Sequence, residues 1–477
     1  MNLIKKKWLI NTFSTILIVA VLIAAFIGLN LWVQQLNVPS IDVTKNKLYS
    51  LSDASKNEIK NIDEDVTIYL FGYDEGTSVV DLAKQYTSVN PRIKCEVTTV
   101  ADRPELKETY GLTSDTQAIV VQAKERNKAI SPYELYSYDS TSSDSVDLTE
   151  QKLTNAILDT TIDEKPVVYF MSGHGEYLPD NGMQMFATYL ENEVNTVKTI
   201  DIMSNGAVPE DCSVLIIASP TKDIAENEAS ILTDYINKGG KILWFSDPIL
   251  TGTEFPNLQK VLDLFGITLS NGIVAETDAS KMFMSSPNLI IPTLNSSNKI
   301  TKDLATDGGI MLLNSGKLNI AEDSKLEELG IESENLVTSG STSFFRTDTS
   351  KSLKVTSDDD EKGPFTIGAS MTKKINDATS AKLVIYSSNI FVSDTAITVN
   401  NQNIYAISLY NNKDIALNSI AYLTDRDDTI TVRKNVGTVN YTATQQQNLI
   451  IMAIIFAVPL LIILVGIIVW QVRRRKK

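Results

Sequence analysis

Three short apolar runs recur through the middle of the chain: VVYFM at Val167–Met171, VLIIA at 214–218 and ILWFS at 242–246. A strand with one wet face alternates polar and apolar residues, so uninterrupted runs of this length fit strands buried on both faces. Between and after them, residues 183–193, 223–237 and 258–265 carry apolar side chains at helical spacing. Apolar strands alternating with amphipathic helices predict a parallel sheet with helices on both sides, and exclude an all-helical or all-β chain. Two more runs fit that sheet, at 197–200 and, much later, KLVIYS at 382–387. Asp223, with Glu226 three residues on, reads as a helix start, and Gly239-Gly240 as its end. From about 267 to 377 the rhythm breaks into polar, turn-rich sequence, which reads as a β-rich insertion, and 403–424 then reads as helix.

Upstream, the order is strand (VTIYLF, 66–71), helix (78–89), strand (93–100), helix (104–110), strand (117–122). This β-α-β-α-β pattern resembles a thioredoxin-like domain. The redox C-x-x-C is missing, and Cys95 lies mid-strand as a small hydrophobe, so the expectation is a structural or binding copy of that fold. The Ser-rich run DSTSSDSVD at 139–147 reads as a linker, and a helix is expected over 149–162.

Residues 8–33 and 449–470 contain no charged side chain. A bilayer core of about 30 Å is crossed by about 20 such residues in a helix, so both read as transmembrane helices, with Pro459 a tolerated kink. Lys5, Lys6 and Lys7 precede the first, and Arg473, Arg474, Arg475, Lys476 and Lys477 follow the second. By the positive-inside rule both termini are cytoplasmic and the middle is extracytoplasmic, in the plasma membrane. The expected organisation is a tail (1–7), a span (8–33), a thioredoxin-like domain (34–138), a linker (139–148), an α/β domain (149–440) with its insertion at about 267–377, a span (449–470) and a tail (471–477).

Composition narrows function. With 43 Lys and Arg against 58 Asp and Glu, the net charge is −15, the opposite of a nucleic-acid footprint. One His removes every catalytic or metal motif that needs two, and two Cys leave no set for a thiolate zinc site or a disulfide scaffold. Gly239-Gly240-Lys241 is followed by Ile242 and precedes a strand, so it is not a phosphate loop, and any ATPase must be another polypeptide. No cofactor is expected.

Four runs carry a family resemblance: LYSLSDASKNEIKNIDEDVTIYLF at 48–71, FMSGHGEY at 170–177, INKGGKILWFSDP at 236–248, and the pair GPFTIGAS (363–370) and NNKDIALNSIAYLTDRDDTITVR (411–433). In this order, and with the two-span layout, the chain resembles the auxiliary membrane components of ABC transport systems related to the gliding-motility family. The resemblance implies a glutamine-amidotransferase-like outer α/β domain without a recognisable nucleophile, and as partners a separate ABC permease and a cytoplasmic ATPase, with membrane lipid around the spans. Where the family often has an acidic turn after the strand at 382–387, this chain has Ser387-Ser388-Asn389.

The sharpest candidate site is the loop Ser172, Gly173, His174, Gly175 and Glu176, which follows a parallel strand at the sheet end where ligand clefts open. The two glycines admit close backbone approach, and His174 and Glu176 offer hydrogen bonds or a proton. Asp247, also at a strand end, faces the same cleft or serves as a turn acceptor. The run Asp358, Asp359, Asp360 and Glu361 lacks the alternation of a calcium loop and reads as solvated. The functional expectation is a non-catalytic auxiliary subunit of an ABC-type system presenting a ligand- or partner-binding loop. The alternative is a membrane-anchored hydrolase or transferase acting on cell-envelope material.

Overall fold

The computed structural model describes residues 50–112, 117–138, 145–248, 254–306, 308–348, 350–399 and 401–426, and singly residues 28, 466, 471 and 472. It is a mixed α/β fold built on two principal sheets.

The first sheet has four strands, β1 (Val66–Phe71), β2 (Ile93–Thr98), β3 (Ala118–Ala123) and β4 (Arg126–Ile130), in the order β2-β1-β3-β4. β2 runs parallel to β1, while β3 and β4 are antiparallel additions. Helices α1 (Asp53–Lys60), α2 (Ser78–Val89) and α4 (Thr149–Thr161) cover one face, around Ile59, Ile68, Leu70, Val80, Tyr86 and Ile157; α3 (Pro104–Tyr110) follows β2. The fully buried Tyr86 hydroxyl donates to the Glu150 carbonyl at 3.0 Å and meets Thr154 Oγ1 at 2.7 Å, tying α2 to α4. Tyr136–Tyr138 pairs with Ser145–Asp147 just before α4.

The second sheet has eight strands: β5 (Val167–Met171), β6 (Thr196–Ile200), β7 (Cys212–Ala218), β8 (Lys241–Phe245), β9 (Thr293–Leu294), β10 (Ile331–Thr338), β11 (Thr366–Lys374) and β12 (Ser380–Tyr386). Their order is β9-β10-β11-β12-β8-β7-β5-β6. β6, β5, β7, β8 and β12 run parallel; β11, β10 and β9 each join antiparallel. Helices α5 (Gln184–Asn192) and α8 (Asn412–Leu423) pack with Phe170, Phe245 and Tyr386 on one face. Helices α6 (Glu226–Asn237) and α7 (Pro256–Asp263) pack with Ile217 and Trp244 on the other. Burial on both faces explains why these strands are apolar throughout.

The expected fold class is corrected in two respects. The sheet is mixed rather than parallel, because β9, β10 and β11, all from the stretch read as an insertion, extend it edge to edge. Nor are the two flanking transmembrane helices supported: among the described residues no helix is long and apolar enough to cross a membrane. The longest, α4, has 13 residues, about 20 Å at 1.5 Å per residue against a core of about 30 Å. The expected spans at 8–33 and 449–470 and the tails at 1–7 and 471–477 lie essentially outside the described residues, and the two-span plasma-membrane location is withdrawn with them.

Local capping also differs. α6 starts two residues later than the Asp223 signal implies, with Ala225 as its N-cap, and Glu228 Oε2 accepts the Ala225 amide at 2.8 Å. The Asp223 carboxylate instead accepts the amides of Asn257 and Leu258, both at 3.0 Å, at the start of α7. At the other end, Gly239 takes φ +89° and closes α6 as its sequence predicts.

Candidate functional site

Parallel strands β5, β7, β8 and β12 end side by side, and the segments leaving their carboxyl ends interlock. The loop after β5 begins with the Ser172 amide bonded to the Ile200 carbonyl at 2.9 Å and returns with the Tyr177 amide bonded to the Ala218 carbonyl at 2.9 Å. Within it Gly173 (φ +119°) and Gly175 (φ +79°) expose bare backbone, while Glu176 is buried.

His174 holds the loop in shape. Its carbonyl accepts the amides of Thr221 and Lys222 at 2.9 and 3.1 Å and the Thr221 hydroxyl at 3.2 Å. Its amide donates to Glu176 Oε2 at 2.7 Å. Its ring lies between two buried carboxylates, with Nδ1 3.3 Å from Glu176 Oε1 and Nε2 3.1 Å from Glu228 Oε2. A carboxylate only accepts, so both ring contacts are satisfied together when each carries its own proton. Asp201, at the end of β6, is held below the ordinary carboxylate range by the Ser204 amide and hydroxyl, with a smaller contribution from His174.

Asp247 lies past the end of β8, separated from the His174 loop by β7. The segment after β7 connects them: Ser219 bonds Asp247, and Thr221 and Lys222 bond His174. Ser219 Oγ donates to Asp247 Oδ2 at 3.1 Å and accepts the Asp247 amide at 3.0 Å, from a left-handed backbone with φ +52°. Asp247 Oδ1 accepts the Asn389 amide at 2.7 Å, from the turn after β12. Burial pushes the Asp247 carboxyl up, against the hydrogen bonds from Asn389 and Ser219 that favour its charged form. Tyr177 faces this region; burial first, then the charge of Asp247, raises its phenol.

The cleft expected here is filled by the chain itself. Gly316 donates its amide to the Ser387 carbonyl at 2.7 Å, and Ser387 Oγ donates to the Gly316 carbonyl at 2.8 Å. The space left beside Ser246, Asp247, Gly316, Lys317 and Ser387 is about 10 Å³, room for one water.

Of the residues singled out in the sequence, His174 and Glu176 meet directly, Ser172, Gly173 and Gly175 frame them, and Asp247 joins through the Ser219–Lys222 segment. The sequence reading missed Glu228, Ser219, Thr221 and Asn389. Glu228, three residues after Ala225 at a helix start, carries a capping signal that points to a structural role; the others carry none. Among the described residues no group of three His, Cys, Asp or Glu side chains is disposed to hold a metal ion. Cys95 and Cys212 are free thiols, each pushed up to about 11 by burial. Asp360 of the acidic run is not solvated: it forms a buried pair with Arg346, Oδ1 to Nε at 3.0 Å and Oδ2 to Nη2 at 2.5 Å.

No curated protein matches the chain. Among solved structures, the N-terminal domain of mmIFT52 is similar at 16% identity, covering 54% of this chain and 97% of its own, with a TM-score of 0.39. A putative ThuA-like protein from Bacteroides uniformis is similar at 12% identity, covering 54% and 90%, with a TM-score of 0.32. Scores this low tie neither protein's role to this chain. Residues 45–138 match a domain of unknown function (DUF7088). Residues 165–419, more than half of the chain and all of the second sheet, match the family described as an ABC-type uncharacterized transport system. The chain belongs to that family, as an auxiliary component of an ABC-type transport system.

Proposed function

We propose that this chain serves its ABC-type system as a non-catalytic interaction subunit, binding a separate permease and, through it, an ATPase. The observation that carries this reading is the use of Asp247. At the sheet end where α/β enzymes keep their reacting groups, its carboxylate is committed to the Asn389 amide and the Ser219 hydroxyl, in a space of one water. The two thiols that would serve as nucleophiles are held in their protonated form by burial. The loop Ser172–Glu176 is the contact offered to a ligand or partner: Gly173 and Gly175 present backbone to solvent, and the Glu176–His174–Glu228 cluster fixes their shape.

Affinity purification of the full-length chain from its native cells, under conditions that keep transport assemblies whole, tests this. A permease and an ATPase are expected to co-purify, and His174→Ala, if it remains folded, to reduce their recovery. Purification of the chain alone under those conditions, together with turnover of a cell-envelope substrate by the purified chain, overturns the reading.

A further inference from the structure

Strand Leu318–Ile320 pairs antiparallel with Ile267–Leu269, and this ladder has only two strands. The register fixes which backbone groups the pairing uses. Ala321 donates its amide to the Gly266 carbonyl at 2.8 Å, which makes 266 and 321 a hydrogen-bonded pair. Such pairs alternate along an antiparallel ladder, so Thr268 and Asn319 form the next one. Leu318 and Ile320 therefore direct their N–H and C=O groups away from the partner strand. Both residues line a groove of about 490 Å³, together with Ser333, Asn335 and Thr366 of β10 and β11 and the carboxylates of Asp323 and Glu361.

We propose that this groove takes an extended peptide from a partner protein, added as a third strand beside Leu318–Ile320, with a basic residue near Asp323. The stretch from Lys317 to Ala321 spans about 13 Å of extended chain, enough for the two N–H and two C=O groups of Leu318 and Ile320 to register a short strand. Charge selects the peptide. Lys317, the cation in the groove wall, is already paired with Glu361 and lies over the Phe345 and Phe365 rings. Asp323, also in the lining, stands exposed. The groove thus carries net negative charge within a chain of net charge −15, which favours Lys or Arg on the incoming strand. The floor residues are polar, so alternate side chains of the peptide that face it are small and hydroxylated rather than large and apolar. The choice of a protein partner rests on the interaction role proposed above; the measurement below needs no transporter subunit, so the two ideas fail separately.

The test uses the full-length chain and a fluorescein-labelled hexapeptide, Lys-Val-Thr-Val-Thr-Lys, with a twin N-methylated at alternate positions, read by fluorescence anisotropy at low salt. Saturable binding below about 1 mM is expected for the plain peptide and none for the twin, which cannot donate to the strand edge. Ile320→Pro removes an N–H that faces the groove while sparing the 268–319 bonds, a substitution edge strands tolerate, and weakens binding about tenfold. Asp323→Lys leaves the backbone untouched and weakens binding several-fold, so the proposal remains testable should Ile320→Pro fail to fold. No saturable binding to the wild-type chain, equal binding of the twin, or undiminished affinity in the folded variants overturns it.

Discussion

The Asp247 carboxylate accepts the backbone amide of Asn389 at 2.7 Å, across 142 residues of sequence. This bond joins the ends of β8 and β12, and with the Ser219 hydroxyl it uses both carboxylate oxygens. The turn after β12 thus meets Asp247 through its backbone, so the contact does not depend on which side chain stands at 389.

Asp247→Ala leaves the Asn389 amide and the Ser219 hydroxyl without their acceptor in a buried place, and is expected to cost about 2–4 kcal/mol. Asp247→Asn keeps one acceptor oxygen and costs about 1 kcal/mol or less at neutral pH. Burial raises the wild-type carboxyl in the folded state, so the native chain binds more protons than the unfolded one between the two values. Wild-type stability relative to Asp247→Asn is therefore expected to fall as pH rises through that window and to recover on acidification. Urea unfolding at a series of pH values from 4 to 7 measures both effects.

Asp360 behaves in the opposite sense. Its hydrogen bonds from Arg346 hold its carboxyl below the ordinary range. The stability this contributes is present above the unfolded-state value and is lost as pH falls through the folded one. Arg346→Met, which leaves Asp360 buried beside no cation, is expected to cost about 3–5 kcal/mol, and the double change with Asp360→Leu to recover much of it. Thermal melts of the two variants, with an acid titration of the wild type, decide the matter.

Gly175 and Gly173 separate backbone strain from collision. A Cβ at Gly175 would lie 2.1 Å from Thr221 Oγ1, whereas one at Gly173 meets nothing within 4 Å; both positions have positive φ. Gly173→Ala should cost about 1–2 kcal/mol for the conformation alone, and Gly175→Ala roughly twice that. Adding Thr221→Ala to Gly175→Ala removes the clash, so a double-mutant cycle is expected to give a favourable coupling of about 1 kcal/mol.

Both thiols should be slow. Burial pushes Cys95 and Cys212 up to about 11, so the thiolate fraction at pH 8 is on the order of a hundredfold below that of a free cysteine. Iodoacetamide labelling followed by mass spectrometry is expected to proceed at a correspondingly reduced rate in the native chain and at the ordinary rate in urea.

Much of the fold is legible in the sequence where burial on both faces writes an apolar run. VTIYLF, VVYFM, KILWF and KLVIY all become strands, and the helices between them follow from spacing. Sequence periodicity carries no information about which distant group an element meets. The helix at 149–162 is readable, but not its packing on the first sheet. Asp223 looks like the cap of the helix that follows it and instead caps one more than 30 residues on. Ile331–Thr338, with sequence IESENLVT, is missed as a sheet strand because much of it is exposed near the sheet's edge. At the candidate site, His174, Glu176 and Asp247 are legible because they flank glycines or strand ends. Ser219 and Asn389 are not, since a serine or asparagine in a turn looks alike whether it caps its own backbone or a carboxylate many residues away.

The pairing of β8 with β12, Lys241 beside Lys382, has a consequence for how the chain is made. β8 leaves the ribosome with β7 already available on one side and nothing on the other. At synthesis rates of roughly 5–20 residues per second, the strand that covers it arrives on the order of ten seconds later. Throughout that interval one edge of β8, apolar from Ile242 to Phe245, lacks its partner strand, the kind of edge that recruits other chains. The strand that closes the sheet beside β8 is thus among the last parts of the described chain to be made.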